Sequence, residues 1–150
     1  MDFKKFNNLV DLDGLKKDAA EAADNTFDND EVPYGKYEVK LEKLELVACK
    51  SDKNRGMPMV SAWFRIIRGD QKNRLIFLNQ LVNQGFQIHI MKELLDSMDS
   101  GIEIEFVDYE QFGNMLMDIL EASGETGFVL DYSENKKGYK AYKIEEVFDL

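Results

Sequence analysis

From Lys36 onward apolar and polar positions alternate: Tyr37, Val39 and Leu41 fall on one side of an extended backbone, and Lys36, Glu38 and Lys40 on the other. A period of two is the mark of a half-buried strand. The apolar series slips by one residue, continuing at Leu44 and Leu46, which predicts a bulge in one long, bent strand. The polar run 50–56 has no apolar anchor and predicts a connection. A second strand spans 59–67, with Val60, Ala62, Phe64 and Ile66 on one side and Ser61, Trp63, Arg65 and Ile67 on the other. Residues 68–73 read as a hairpin loop, and 74–82, rich in Leu, Ile, Val and Phe, as a third strand. Three such strands in succession make an antiparallel meander.

After Gln84-Gly85 the period changes. Phe86, Ile88, Ile90, Met91, Leu94, Leu95 and Met98 recur at helical spacing, so a helix leaves the third strand. Ile102, Ile104 and Phe106 alternate with Glu103 and Glu105 and predict an inserted short strand or an extended connector. Asp108 with Gln111 resembles a capping box for a second helix bearing Phe112, Met115, Leu116, Ile119 and Leu120, which Gly124 stops. Two further alternating runs, 127–132 and 139–148, flank the polar turn 133–138 and predict a C-terminal hairpin. Upstream, Phe3, Phe6, Leu9, Val10 and Leu12 are irregularly spaced and the polar stretch 13–30 offers few large apolar groups to dock. Residues 1–31 are therefore expected to be an N-terminal arm, partly helical or flexible. The turn-forming run 28–35 marks the start of a single domain, 32–150.

Three strands, a helix and a terminal hairpin is the element order of an OB-fold, a five-stranded Greek-key barrel that binds oligonucleotides or oligosaccharides on its second and third strands. The expectation is a mainly β, α+β domain. It is OB-fold-like, with a helix after strand 3 and an inserted short strand plus helix before the C-terminal hairpin.

Composition narrows the chemistry. A single cysteine, Cys49, and a single histidine, His89, exclude an internal disulfide framework and a Cys/His zinc cluster. His89 shares an apolar helical face with Phe86 and Ile90 and is read as a core or boundary imidazole. With no phosphate-cradling Gly loop, and no third ligand to join Glu103 and Glu105, the chain is read as non-catalytic, without cofactor or metal. No apolar run reaches the roughly 18 residues of a membrane span, and Met1 to Lys5 lacks a secretory pattern, so a soluble cytoplasmic protein is expected.

The net charge of -10 argues at first against nucleic acid, but the charge is unevenly spread. Residues 36–74 hold ten basic and five acidic side chains, whereas in 75–135 Lys92 stands alone against twelve carboxylates. A basic face and an acidic face are implied. If Val60, Ala62, Phe64 and Ile66 fill a barrel, the only tryptophan, Trp63, stands outside it, two residues from Arg65. A flat π surface stacks on any base, and a guanidinium meets phosphate. The first long loop adds Lys50, Lys53 and Arg55; the final hairpin adds Lys136, Lys137, Lys140 and Lys143 interleaved with Tyr132, Tyr139 and Tyr142. Lys72 and Arg74, at the start of the third strand, extend the patch. In an OB-fold the two loops flank one groove.

Val32-Pro33-Tyr34-Gly35-Lys36-Tyr37-Glu38-Val39, Pro58-Met59-Val60 leading into Trp63-Phe64-Arg65-Ile66, Arg74-Leu75-Ile76-Phe77 and Glu134-Asn135-Lys136-Lys137-Gly138 resemble a family of small phage and prophage proteins from replication and recombination modules. Its members form a domain of unknown function often described as single-stranded-DNA-binding proteins. The likeness covers about 32–148. It implies single-stranded DNA as partner in a bacterial host's cytoplasm, with phage or host replication and recombination proteins as further partners and a homo-oligomer allowed. The rival expectation is an acidic interaction or inhibitor protein, a DNA mimic or host-factor binder that takes no nucleic acid. The twelve carboxylates of 75–135 motivate it.

Overall fold

The computed structural model describes residues 32–150; the arm expected over 1–31 lies outside the described residues. Five strands and two helices follow one another as β1 (Gly35–Ala48), β2 (Pro58–Ile66), β3 (Leu75–Leu81), α1 (Gly85–Ser97), α2 (Tyr109–Ala122), β4 (Thr126–Glu134) and β5 (Lys140–Asp149). All ladders are antiparallel, and the sheet order is β3-β2-β1-β4-β5. Residues 34–150 form one compact unit.

The long first strand is central because it serves two ladders. Gly35 to Lys40 pair with β4, and Val39 to Ala48 pair with β2, so only Val39 and Lys40 are shared. The expected bulge falls between Leu41 and Lys43, immediately after this handover. An extra residue there bends and twists the strand, which lets one β1 face two partners. It also returns Leu44 to the face of Val39 and Leu41, all three of them buried.

That face is the core. Val60, Ala62, Phe64 and Ile66 of β2 are at most 1% exposed. Ile76 and Leu78 of β3, Phe128 and Leu130 of β4, Met91 and Leu95 of α1, and Phe112, Leu116 and Ile119 of α2 are buried as well, and α2 packs on β1. At Gly127 a Cβ would stand 2.4 Å from the ring of Phe148 on β5, so any side chain there requires that ring to move.

β3 and β5 lie at the two ends of the sheet order, so the ladders describe an open sheet. Side chains cover part of the β3 margin. The Tyr142 hydroxyl of β5 donates to the Phe77 carbonyl at 2.6 Å, Gln80 Nε2 to the Leu81 carbonyl at 2.9 Å, and the Tyr109 hydroxyl to the Val82 carbonyl at 2.8 Å. Unpaired edge carbonyls invite foreign strands, and these bonds blunt that liability. Helix α1 touches both β3 and β5.

Two expectations need correction. Of the two forms expected over 102–106 the inserted strand is absent and the connector is found: Ile102, Ile104 and Phe106 are half-buried and Glu103 and Glu105 exposed, as alternation requires, but the segment pairs with no strand. Phe106 is held by rings, 5.0 Å from Tyr109 and 5.4 Å from Phe112, so contact with α2 takes the place of a ladder. His89 is no core or boundary imidazole. It stands exposed on α1 with Nε2 3.0 Å from Glu93, because the buried stripe runs through Met91 and Leu95 rather than Phe86 and Ile90. Asp108 caps α2 as expected, accepting from the Gln111 amide at 2.7 Å. Among the described residues no helix is long and apolar enough to cross a membrane.

Candidate nucleic-acid interface

Strand alternation dictates what the other face of the sheet carries. With Phe64 inward, Trp63 and Arg65 turn outward, both half-buried. Trp63 lies directly opposite Lys43 of β1 and Phe77 of β3, so one row crosses three strands. The Trp63 and Phe77 rings meet edge to face, 5.7 Å apart at 85°. Such pairs add to the area they bury and hold each ring at a fixed tilt. Phe77 remains 40% exposed. Lys43 Nζ sits 4.4 Å from the Trp63 ring centroid and 3.0 Å from Glu45 Oε1, which fixes a cation over the indole.

Arg65 is fully engaged. Its Nε and Nη2 form a two-point contact with the Glu42 carboxylate, the second bond at 2.9 Å, and Nη1 donates to the Asn73 carbonyl at 2.6 Å. The hydrogen bond from Arg65 holds the Glu42 carboxyl below its ordinary range against the opposing effect of desolvation. The same bond raises the guanidinium further. Glu42 is the bulge residue between Leu41 and Lys43.

The basic loops sort into two groups. The first loop is closed by Cys49 N–H to Met57 O and Gly56 N–H to Cys49 O, both 2.8 Å, with Gly56 at φ 84°. Lys50 and Lys53 are exposed on it, and Arg55 pairs with Asp52 at 3.0 Å. This loop leaves β2 at Pro58, five residues or about 17 Å of strand from Trp63. Lys72 and Arg74 lie beyond the opposite end of β2, Lys72 exposed and Arg74 bonded to Gln71 Oε1 at 2.5 Å. The two sites are thus separated by the whole of β2, about 26 Å.

No family model matches the chain, and no curated protein does.

The C-terminal hairpin reaches the aromatic row by a route that sequence spacing does not show. Asn135 accepts from the Lys137 and Tyr139 amides at 2.9 and 3.0 Å, an Asx turn that sets out Lys136, Lys137, Tyr139 and Lys140, all exposed. At the base of the hairpin Tyr142 stacks on Tyr132, 5.5 Å and 30°, and its hydroxyl bonds the Phe77 carbonyl. Tyr142 therefore joins β5 to the aromatic row rather than standing out as a platform of its own. The structure brings together Trp63, Arg65, Lys43, Phe77 and the hairpin base. The first loop stands at the far end of β2.

Phe77 and Lys43 were missed as site residues. The signal for Phe77 was present, since Ile76 and Leu78 inward force it outward. Lys43 was hidden by the bulge, which decides which cation faces Trp63. Among the described residues no group of three His, Cys, Asp or Glu side chains is placed to hold a metal ion.

Proposed function

We propose that the chain is a non-catalytic, sequence-tolerant binder of single-stranded DNA, with bases stacking on Trp63 and Phe77 and phosphates held by cations around them. The observation that carries this is the ring pair on the outer face of three strands, with a lysine fixed over it. Every base has a π face, so two adjoining rings serve any sequence. In this reading further phosphate contacts come from Lys136, Lys137 and Lys140, exposed on the hairpin whose Tyr142 bonds Phe77, and, for longer strands, from Lys50, Lys53 and Arg55 of the first loop.

An OB-like barrel belongs to the same proposal. A meander and a hairpin sharing β1 support it, as do the Tyr142 bond to Phe77 and the contact of α1 with both flanking strands. On that fold strands 2 and 3 form the ligand face. The likeness of 32–148 to phage and prophage proteins adds replication or recombination in a bacterial cytoplasm as the setting, with proteins of those processes as partners.

The test is titration with dT and rU oligomers of several lengths, read by quenching of the only tryptophan and by anisotropy of labelled oligomers. Quenching should appear and reverse with salt. Trp63→Ala should weaken binding by about 1 to 3 kcal/mol. A variant that folds and binds as tightly as the parent removes the stacking assignment.

One observation favours the second reading, an acidic interaction protein. Lys36, Lys43, Arg55, Arg65 and Arg68 each hold a carboxylate: Glu145, Glu45, Asp52, Glu42 and Glu38. A DNA mimic or host-factor binder takes up no oligonucleotide at any salt concentration, so the same titration separates the two.

A further inference from the structure

Arg65 lies on the same face as Trp63, two residues along β2, where a strand stacked on Trp63 and Phe77 would pass its backbone. Its fork already grips an anion in the two-point geometry that guanidinium uses for carboxylate and phosphate alike. Two features hold that arrangement. Glu42 occupies the bulge of β1, which frees it from the regular ladder and points it across to β2. Asn73 carries a φ of 75°, a left-handed conformation that Asn adopts more readily than most residues other than glycine, and its carbonyl takes Arg65 Nη1 while its own amide donates to Ile66 O at 2.8 Å. A sparsely populated backbone conformation that places one acceptor on one guanidinium is a constraint with a direction. On β1, Glu45 holds Lys43, which lies opposite Trp63, by a single contact at 3.0 Å.

Resting on the single-strand reading above, we propose that Glu42 is an intramolecular stand-in for phosphate: it occupies the Arg65 fork in the free protein and is displaced by a phosphodiester when a strand engages the aromatic row. Asn73 keeps the guanidinium oriented through the exchange, because its carbonyl bond does not involve the face that Glu42 vacates. The exchange swaps one anion for another, so Arg65 contributes orientation and little net affinity. It also lowers the salt dependence of binding, since the released carboxylate takes up a counterion as the phosphate gives one up. A chain with net charge -10 gains from such a device: strands that cannot stack lack the contact energy to open the pair, and indiscriminate phosphate binding is held down.

The experiment is a double-mutant cycle on the full chain with Glu42→Gln and Arg65→Ala, measuring dT oligomer affinity by anisotropy across a salt series. Gln keeps the shape of Glu at a partly exposed position, and the thermal midpoint of each variant verifies folding. E42Q should bind about three- to fivefold more tightly, the range of one partly exposed ion pair. The slope of log affinity against log salt should steepen by about 0.7, one further phosphate on a single strand. Both effects should vanish when Arg65 is already Ala. Failure of E42Q to tighten binding overturns the proposal. So does tightening that persists in the R65A background, since that is the general effect of removing a negative charge. A parent that binds no dT brings down the single-strand reading itself; a parent that binds, with a flat cycle, brings down only the role of Glu42.

Discussion

The two faces of β2 differ by one residue in sequence and by almost everything in environment. Val60, Ala62, Phe64 and Ile66 are shut off from solvent, whereas Trp63 and Arg65 keep contact with water and are held by Lys43, Phe77, Glu42 and Asn73. The inner face is fixed by volume, because a close-packed interior tolerates neither gaps nor excess. The outer face is fixed by ring tilt and charge. Stability and binding should therefore separate along one strand, residue by residue.

The largest expected effect tests the inner side. Phe64→Ala empties a fully buried aromatic site and should destabilise the fold by about 3 to 5 kcal/mol in denaturant unfolding. Trp63→Ala, one position away, should leave most of the stability and lose binding instead. If the two substitutions destabilise equally, the outer rings are part of the core and the separation fails.

Next is Gly127→Ala. Its methyl would meet the Phe148 ring at 2.4 Å, so the ring or the β4–β5 ladder must shift. Overpacking of this kind costs about 1 to 3 kcal/mol. Because Phe148 lies at the other end of β5 from Tyr142, dT affinity should be retained while the unfolding midpoint falls. A parallel loss of affinity would show that the hairpin positions the aromatic row along its whole length.

Much of this contrast was legible in the sequence and part was not. Alternation with period two assigns faces without further information, so the inward set of β2, the bulge near Leu44 and the order of strands and helices could all be read. The segment 102–106 shows where that logic stops: alternation reports one covered side, and Phe106 is covered by α2 rather than paired to a strand. His89 fails for a related reason. Phe86 and Ile90 suggest a buried face, yet they are 63% and 50% exposed, and the stripe that docks begins one residue later at Met91. The partners of Arg65 and Tyr142 were out of reach, being a bulge carboxylate 23 positions away and a backbone carbonyl 65 positions away. Pairings of that kind depend on register and twist, which a hydrophobic pattern constrains only loosely.

Loop cations and strand cations sharpen the comparison further. Lys136 and Lys137 stand at an exposed hairpin tip, in contrast to Arg65 and Lys43 with their carboxylates. Replacing both tip lysines by Ala should leave the unfolding midpoint unchanged and make the salt slope of dT binding shallower by about 1.4, two phosphates on a single strand. An unchanged slope would take the hairpin out of the interface.

The smallest expected effect is on the acid side of the stability curve. Glu42 titrates below its ordinary range when folded, because Arg65 donates to it, and returns to that range on unfolding. A carboxyl whose pKa is lowered by folding stabilises the fold fully above its unfolded pKa, and that contribution disappears as the pH falls through the lower, folded value. Partial exposure of both side chains, 31% for Arg65 and 28% for Glu42, limits it to about 1 kcal/mol or less. In E42Q the difference from the parent should therefore be largest near neutral pH and shrink toward zero as acid protonates Glu42 in the parent. Denaturant midpoints of parent and variant measured from pH 7 downward should converge. Curves that stay parallel through the acid range would mean that the pair adds nothing to stability, leaving the Glu42 carboxylate with electrostatic consequences for the outer face alone.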